Sequence, residues 1–267
     1  MKKIMIFILL LLTAVTFSYA ERIKIEGSTT VLPIAQRAAE QFMELHEDAN
    51  ISVKGGGSGV GIAALIDGVC DIADASRAIK QEELDKAVSK GKDPKAHMIA
   101  MDGICVIVHP SNNIQQLTRA QLKDIFTGKI KNWSEVGGIP EKIVAISRDS
   151  SSGTYEAFGE LALNKAKVRT DALMQASNQA VATTVAQTPS SIGYVGLGFV
   201  TPSVKAVIID DITPTKETVI SAKYPLARPL YMYTNGAPSG QIKDFFDYLK
   251  GEEGSKIIEE EGYIPLK

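Results

Sequence analysis

The chain has 267 residues, 45% of them hydrophobic and 22% charged, with a formal net charge of −2 at pH 7. That length supports a substantial core, in one large domain or two of ordinary size. The slightly acidic balance, with aromatics at only 6%, excludes the basic stripe and stacking platforms that nucleic-acid binding requires, so any anion must be attracted by local groups.

In chain order, Met1-Lys2-Lys3 supplies a positive start, Ile4 to Leu12 an apolar run and Ser18-Tyr19-Ala20 a small-x-small cleavage site, which predicts a signal peptide over 1–20. That run is short for a membrane span, and no later stretch approaches the roughly 20 apolar residues one needs. No cysteine follows the cleavage site to carry a lipid. The expectation is an exported, freely diffusing periplasmic protein.

Beyond the leader, short strand-like runs alternate with amphipathic stretches, the pattern of an α/β protein with helices on both faces of its sheet. Strands are predicted over 22–26, 51–54 and 69–73, and helices over 30–46, 60–66 and 81–89. In the first helix Val31, Ile34, Ala35, Ala38, Phe42 and Leu45 recur at spacings of three and four. Two further strands, 96–101 and 104–108, are separated by Asp102-Gly103, and the polar stretch His109-Pro110-Ser111-Asn112-Asn113 marks a lobe boundary. Lobe 1 is thus expected over 21–108 and lobe 2 over 109–227. In the second lobe, Thr118-Arg119-Ala120-Gln121 reads as a capping box for a helix to Phe126, with Gly128 beyond its end. Strands follow at 143–146, 192–195 and 204–209, and helices at 153–163 and 179–187. A return segment, 228–267, carries a strand at 230–234 and helices at 241–250 and 252–261, and is expected to pack on lobe 1. Two units joined by more than one crossing strand leave a cleft between them, a usual place for a small ligand.

Three loops concentrate the chemistry: Gly27-Ser28-Thr29-Thr30, Gly55-Gly56-Gly57-Ser58-Gly59 and Ser150-Ser151-Ser152-Gly153-Thr154. Each runs into a predicted helix, whose first turn has unpaired N–H groups and roughly half a positive charge. With Arg148 just ahead of the third, the set suits a site that surrounds a tetrahedral anion. Taken singly, such loops usually serve tight turns. Arg148 and Arg77 have surface ion pairs as their alternative, and Asp71 and Asp74 have turn capping. Trp133 reads as a packing residue, and the acidic clusters Glu252-Glu253 and Glu259-Glu260-Glu261 as solvated helix faces.

The remaining features narrow the class. The middle loop lacks the Gly-Lys-Ser/Thr of a nucleotide P-loop. His46, His97 and His109 are scattered, and Cys70 and Cys105 stand alone, so no metal and no other cofactor is expected. In an oxidising compartment the two cysteines either pair or remain buried small hydrophobes. With no histidine near a candidate serine and no Gly-x-Ser-x-Gly elbow, no catalytic residue is assigned; an exported phosphate-ester hydrolase is the rival class.

Six stretches in order carry a resemblance: Gly27-Ser28-Thr29-Thr30-Val31-Leu32-Pro33; Gly56-Gly57-Ser58-Gly59; Asp71-Ile72-Ala73-Asp74-Ala75-Ser76-Arg77; Ile125-Phe126-Thr127-Gly128-Lys129-Ile130-Lys131-Asn132-Trp133; Arg148 with Ser152-Gly153-Thr154; and Ser191-Ile192-Gly193-Tyr194-Val195. Over nearly the whole chain beyond the leader, it resembles the phosphate-binding proteins of bacterial ABC phosphate transporters. The resemblance implies a type II periplasmic-binding-protein fold: a monomer whose two α/β lobes close over one inorganic phosphate and deliver it to a membrane ABC permease. By position it implies a hydroxyl from Thr29, a backbone N–H from Thr30, a hydroxyl from Ser58, the cation of Arg148, and Ser152, Gly153 and Thr154 from the other lobe, with Ser28, Ser76 and Arg77 beside them. Some relatives carry a carboxylate where Ser76 stands here, which leaves Asp74 as the candidate acceptor for the proton of hydrogen phosphate. Sulfate, molybdate or a phosphonate are the alternative ligands.

Overall fold

The first strand sets the pattern of the sheet: Ile23 and Ile25 are buried while Lys24 is exposed, the period-2 alternation of a strand covered on one face. The computed structural model describes residues 22–266, and the predicted leader lies outside the described residues. β1 (Ile23–Gly27), α1 (Leu32–Leu45), β2 (Ile51–Gly55), α2 (Ser58–Asp67), β3 (Ile72–Ala75), α3 (Gln81–Ser89) and β4 (Pro94–Val108) form the first half. They are followed by β5 (Gln116–Leu117), α4 (Arg119–Thr127), β6 (Val144–Arg148), α5 (Gly153–Leu161), β7 (Leu173–Gln175), α6 (Asn178–Gln187), β8 (Ser191–Gly196), β9 (Lys205–Ala206), β10 (Ile208–Ile209) and α7 (Lys216–Ile220). The chain then returns through β11 (Ala227–Asn235), α8 (Gly240–Lys250), α9 (Glu252–Glu260) and β12 (Ile264–Pro265). No helix among the described residues is long and apolar enough to cross a membrane.

One curled ten-stranded sheet carries the order β2-β1-β3-β11-β4-β8-β6-β7, with β12 and β9 also paired to β4. β1 is parallel to β2 and β3, and β6 is parallel to β7 and β8. The antiparallel strands β11 and β4 join these two units. This is the two-lobed α/β periplasmic-binding-protein architecture. The break expected at Asp102-Gly103 does not occur, because β4 runs through it for 15 residues with Arg228 opposite Asp102 and Ala227 opposite Gly103. An Asp-Gly pair favours a turn where its carboxylate is solvated; here the carboxylate is matched by a cation across the ladder. The single strand expected at 204–209 is two, since β9 pairs with β4 while β10 pairs with β5.

Packing divides between the units. Ile34, Ala35, Ala38 and Phe42 of α1 bury against Leu230 and Met232 of β11 and against Phe245, Leu249 and Ile257 of the return segment. A separate core gathers Ile104, Val106, Leu122, Phe126, Trp133, Phe158 and Tyr194. Along β4 the side chains change from the first core to the second between Ala100 and Ile104. The Thr118 capping box forms, its Oγ1 accepting from the Gln121 amide at 3.1 Å while Gln121 Oε1 accepts from the Thr118 amide at 2.9 Å. Cys70 and Cys105 are free, buried thiols in different core clusters, and burial pushes the Cys70 thiol up to about 12.

One aromatic stack links this packing to the cleft. Phe158 of α5 lies on Tyr194 of β8 with ring centroids 3.9 Å apart and planes 8° from parallel. The Tyr194 hydroxyl is 2.8 Å from Ser147 Oγ and accepts from the Arg148 amide at 3.3 Å. Phe158→Ala removes a fully buried ring, so urea unfolding should show a loss of about 3–5 kcal/mol; a loss below about 1 kcal/mol would mean that the stack carries no strain-free packing energy.

Candidate anion-binding site

The parallel strands of both units end at the cleft, as ligand-binding α/β sheets do. β1 delivers the Ser28–Val31 turn, β2 the glycine loop, and β6 the loop that opens α5. Ser152 caps α5, its Oγ accepting from the Tyr155 amide at 3.2 Å. Ser177 caps α6 and places Asn178 in its first turn.

These helix starts meet across the cleft. Thr30 Oγ1 is 3.0 Å from Thr154 Oγ1. The Gly59 amide donates to the Ser151 carbonyl at 2.9 Å, and Ser151 Oγ donates to the Gly56 carbonyl at 3.2 Å. Approach is so close at Gly153 that a Cβ there would lie 2.2 Å from Ser58 Oγ. Gly57 has φ +101°, and a Cβ on it would lie 2.8 Å from the Ser151 carbonyl oxygen. The cleft is therefore closed, and two of its glycines are required by contact between the lobes.

Arg148 occupies the centre. It is 1% exposed, and its Nε donates to the Gln175 carbonyl at 3.0 Å. Its Nη2 donates to the Ala176 carbonyl at 3.0 Å and to Thr29 Oγ1 at 3.2 Å, while Nη1 is buried without a partner. No carboxylate among the described residues lies within ion-pair distance of it. Burial pulls its pKa down to about 10, opposed by nearby Asp149, so it is charged at neutral pH. A buried cation held only by neutral oxygens is costly unless an anion completes it. Ser58 Oγ accepts from the Ser76 amide at 3.0 Å and lies 3.3 Å from Ser76 Oγ, which sets two hydroxyls beside Gly153.

Three residues that sequence reasoning missed complete the frame. Arg228 of β11 pairs with Asp102 through Nε at 3.0 Å and Nη2 at 2.9 Å. Its Nη2 also reaches Thr30 Oγ1 at 3.3 Å and Thr154 Oγ1 at 3.1 Å, and Nη1 donates to the Ser76 carbonyl at 3.1 Å. Burial raises the Asp102 carboxyl, and Arg228 and the Leu197 amide only partly offset this. Asn178 Nδ2 donates to Thr30 Oγ1 at 2.9 Å and to Thr29 Oγ1 at 3.2 Å. The one available signal for Arg228 was its alternation with Leu230 and Met232, which places a charge on an inward-facing strand position.

Two of the expected ligand groups already have partners within the protein. The Thr30 amide does not face the cleft open, because Ser28 Oγ accepts from it at 3.1 Å; Thr30 brings its hydroxyl instead. Arg77 is engaged by carboxylates of the protein: its Nη1 and Nη2 bond Glu83 at 2.8 and 2.7 Å and its Nε pairs with Glu156. Asp71 serves the fold, its Oδ2 accepting from the Lys24 amide at 2.8 Å.

The sequence pattern of the PBP superfamily domain matches residues 14–253. The phosphate-binding protein PstS of Bacillus subtilis is 36% identical over 247 residues, 91% of this chain and 80% of that protein. The PstS of Borreliella burgdorferi is 33% identical over the full length of both chains. The chain belongs to the PstS phosphate-binding protein family. Among solved structures, a putative phosphate ABC transporter substrate-binding protein from Clostridium perfringens, with phosphate bound, superposes with a TM-score of 0.87 at 35% identity, covering 92% of this chain and all of that one.

Within this PstS-family frame Asp74 stands out. It is 1% exposed, on the β3 face that it shares with Ile72, and its Oδ1 is buried with no partner. Burial alone pushes its carboxyl well above the ordinary range. A carboxyl raised in the folded state adds stability below its unfolded value of about 3.9 and loses it as pH rises through the folded value. Asp74→Asn has no such loss, so the ligand-free variant should melt a few degrees above wild type at pH 7.5, the difference vanishing near pH 4. Equal melting at pH 7.5 would show that Asp74 is already compensated.

Proposed function

We propose that this protein captures inorganic phosphate outside the cytoplasmic membrane and hands it, as a monomeric carrier, to a membrane ABC permease. The observation that carries the reading is Arg148: a charged, buried guanidinium with an unpartnered Nη1, ringed by hydroxyls and helix starts from both lobes. Membership of the PstS family supports phosphate as the anion. The ligand shell we assign comprises Arg148, Arg228, the hydroxyls of Thr29, Thr30, Ser58, Ser76, Ser152 and Thr154, and the amide of Gly153, with Ser28 holding the first loop. Hydrogen bonds to a charged group contribute about 1.5–3 kcal/mol each, and micromolar affinity needs about 8 kcal/mol net, so such a shell suffices after ordering costs. The sequence pattern of a leader over 1–20 supports export.

Carriage rather than catalysis fits the same groups. His97 bonds Thr234, His109 bonds Ser111 and His46 stacks on Phe42, so each histidine is engaged away from the serines of the cleft. Among the described residues two carboxyl groups are buried, Asp74 near the end of β3 and Asp102 midway along β4, and Asp102 is committed to Arg228. Asp74 is then the group we assign to accept the proton of hydrogen phosphate, a proton that sulfate lacks at neutral pH.

Calorimetric titration tests the assignment. Arg148→Ala should weaken phosphate binding by about 2–5 kcal/mol while leaving the fold intact, because the anion loses its cation; unchanged affinity would remove Arg148 from the site. Phosphate at 100 times its dissociation constant should stabilise wild type by about 2.7 kcal/mol, and a melting temperature indifferent to phosphate would refute the reading.

Selectivity should depend on pH. Sulfate requires Asp74 to take up a proton, and the upward shift of its carboxyl makes that uptake easier as pH falls. Sulfate binding should therefore strengthen from pH 8 to pH 5.5 in wild type, and in Asp74→Asn should be tighter at pH 8 and insensitive to pH. Sulfate affinities independent of pH in both proteins would place discrimination elsewhere.

A further inference from the structure

At one rim of the cleft, Arg77, Lys80, Glu83 and Glu156 form a cluster of ion pairs. Arg77 and Lys80 follow β3 in the first lobe; Glu156 lies in the first turn of α5, whose Ala157 and Phe158 pack in the core of the second. Within its own lobe Arg77 is clamped by Glu83 through two parallel hydrogen bonds of 2.8 and 2.7 Å. Burial acts against charge on Glu83, but the Arg77 bonds and the Lys80 amide outweigh it and hold the carboxyl below its ordinary range. Glu83 therefore neutralises Arg77 and fixes its orientation whether the cleft is open or shut. Nε is left facing outward, and across the cleft it meets Glu156, whose other oxygen takes Lys80 Nζ at 2.9 Å. The Arg77 contact is an ion pair without an aligned hydrogen bond. Arg77 is 8% exposed and Glu156 18%, so this pair is far less screened than an ordinary surface pair, whereas the Lys80 arm is half-exposed.

We propose that Glu156 with Arg77 and Lys80 is a closure clasp that sets how long a captured phosphate stays bound. The inference rests on the phosphate reading above. On opening, Glu156 separates from both cations while Arg77 keeps Glu83, so the clasp acts on the closed state alone. Interactions formed only after encounter change the dissociation rate and leave association nearly untouched.

Release of radiolabelled phosphate into excess unlabelled phosphate, timed by rapid filtration, measures this directly. Glu156→Gln should release about tenfold faster, with association within about twofold of wild type. Lys80→Met, at a half-exposed position where the fold is safe, should accelerate release by a smaller factor. In Glu156→Gln, Lys80→Met should add almost nothing, the signature of one shared interaction. Raising salt should speed release from wild type more than from Glu156→Gln. Equal melting of the ligand-free proteins separates this role from a merely structural one. Release rates within twofold of wild type in both single variants would overturn the clasp while leaving the phosphate reading intact. A wild type that retains no phosphate would instead overturn the ligand assignment, and the clasp as stated with it.

Discussion

Closing two lobes around Arg148 encloses a full positive charge among neutral oxygens, and that constraint governs the rest of the molecule. In an open cleft, water solvates the guanidinium. In a shut cleft without an anion, the charge is desolvated and uncompensated, a penalty of several kcal/mol. Closure is thereby conditional on the ligand: the anion supplies the charge that makes the shut state favourable. Arg228 shows the contrast. Asp102 neutralises it within the crossing strands β4 and β11, so its charge is compensated in both states and it holds its place beside Thr30 and Thr154 without an anion. Of these two arginines, one is satisfied by the fold and the other waits for a ligand.

The sheet makes this arrangement possible. Parallel strands place helix starts at one edge, so three loops distant in sequence present amides and hydroxyls to a common point. The antiparallel pair β4 and β11 then runs between lobes, and it is there that Asp102 and Arg228 sit. Contact between the lobes demands close approach, which only Gly57 and Gly153 permit against Ser151 and Ser58.

The parts of the site that are local in sequence were legible. Glycine and hydroxyl residues before an amphipathic run announce a helix start, and the Thr118 box and the α1 stripe were read for the same reason. What depended on tertiary pairing was not. Asp102-Gly103 looked like a turn because its partner, Arg228, lies 126 residues away. Arg77 looked like a ligand because it adjoins the right strand end, while Glu156, which engages it, arrives from the other lobe. Asn178 carried no signal beyond opening a helix, and its importance comes from reaching Thr29 and Thr30 across the cleft. Local chemistry reveals what a residue offers; the fold decides which neighbour takes the offer first.

Asp74 and Arg148 mark the same principle from opposite sides. Each is a buried ionisable group that a fold selected only for stability would replace, Asp74 by an uncharged residue and Arg148 by an apolar one. Among the described residues neither has an ion-pair partner, and each is strongly shifted by burial, the carboxyl upward and the guanidinium downward with Asp149 only partly opposing it. Local rules broken without compensation inside the molecule point to compensation from outside it. On the assignment proposed above, a tetrahedral anion that keeps one proton answers both demands, with negative oxygens for the guanidinium and a hydroxyl for the carboxylate. A fully ionised anion answers only the first, and a neutral ligand answers only the second.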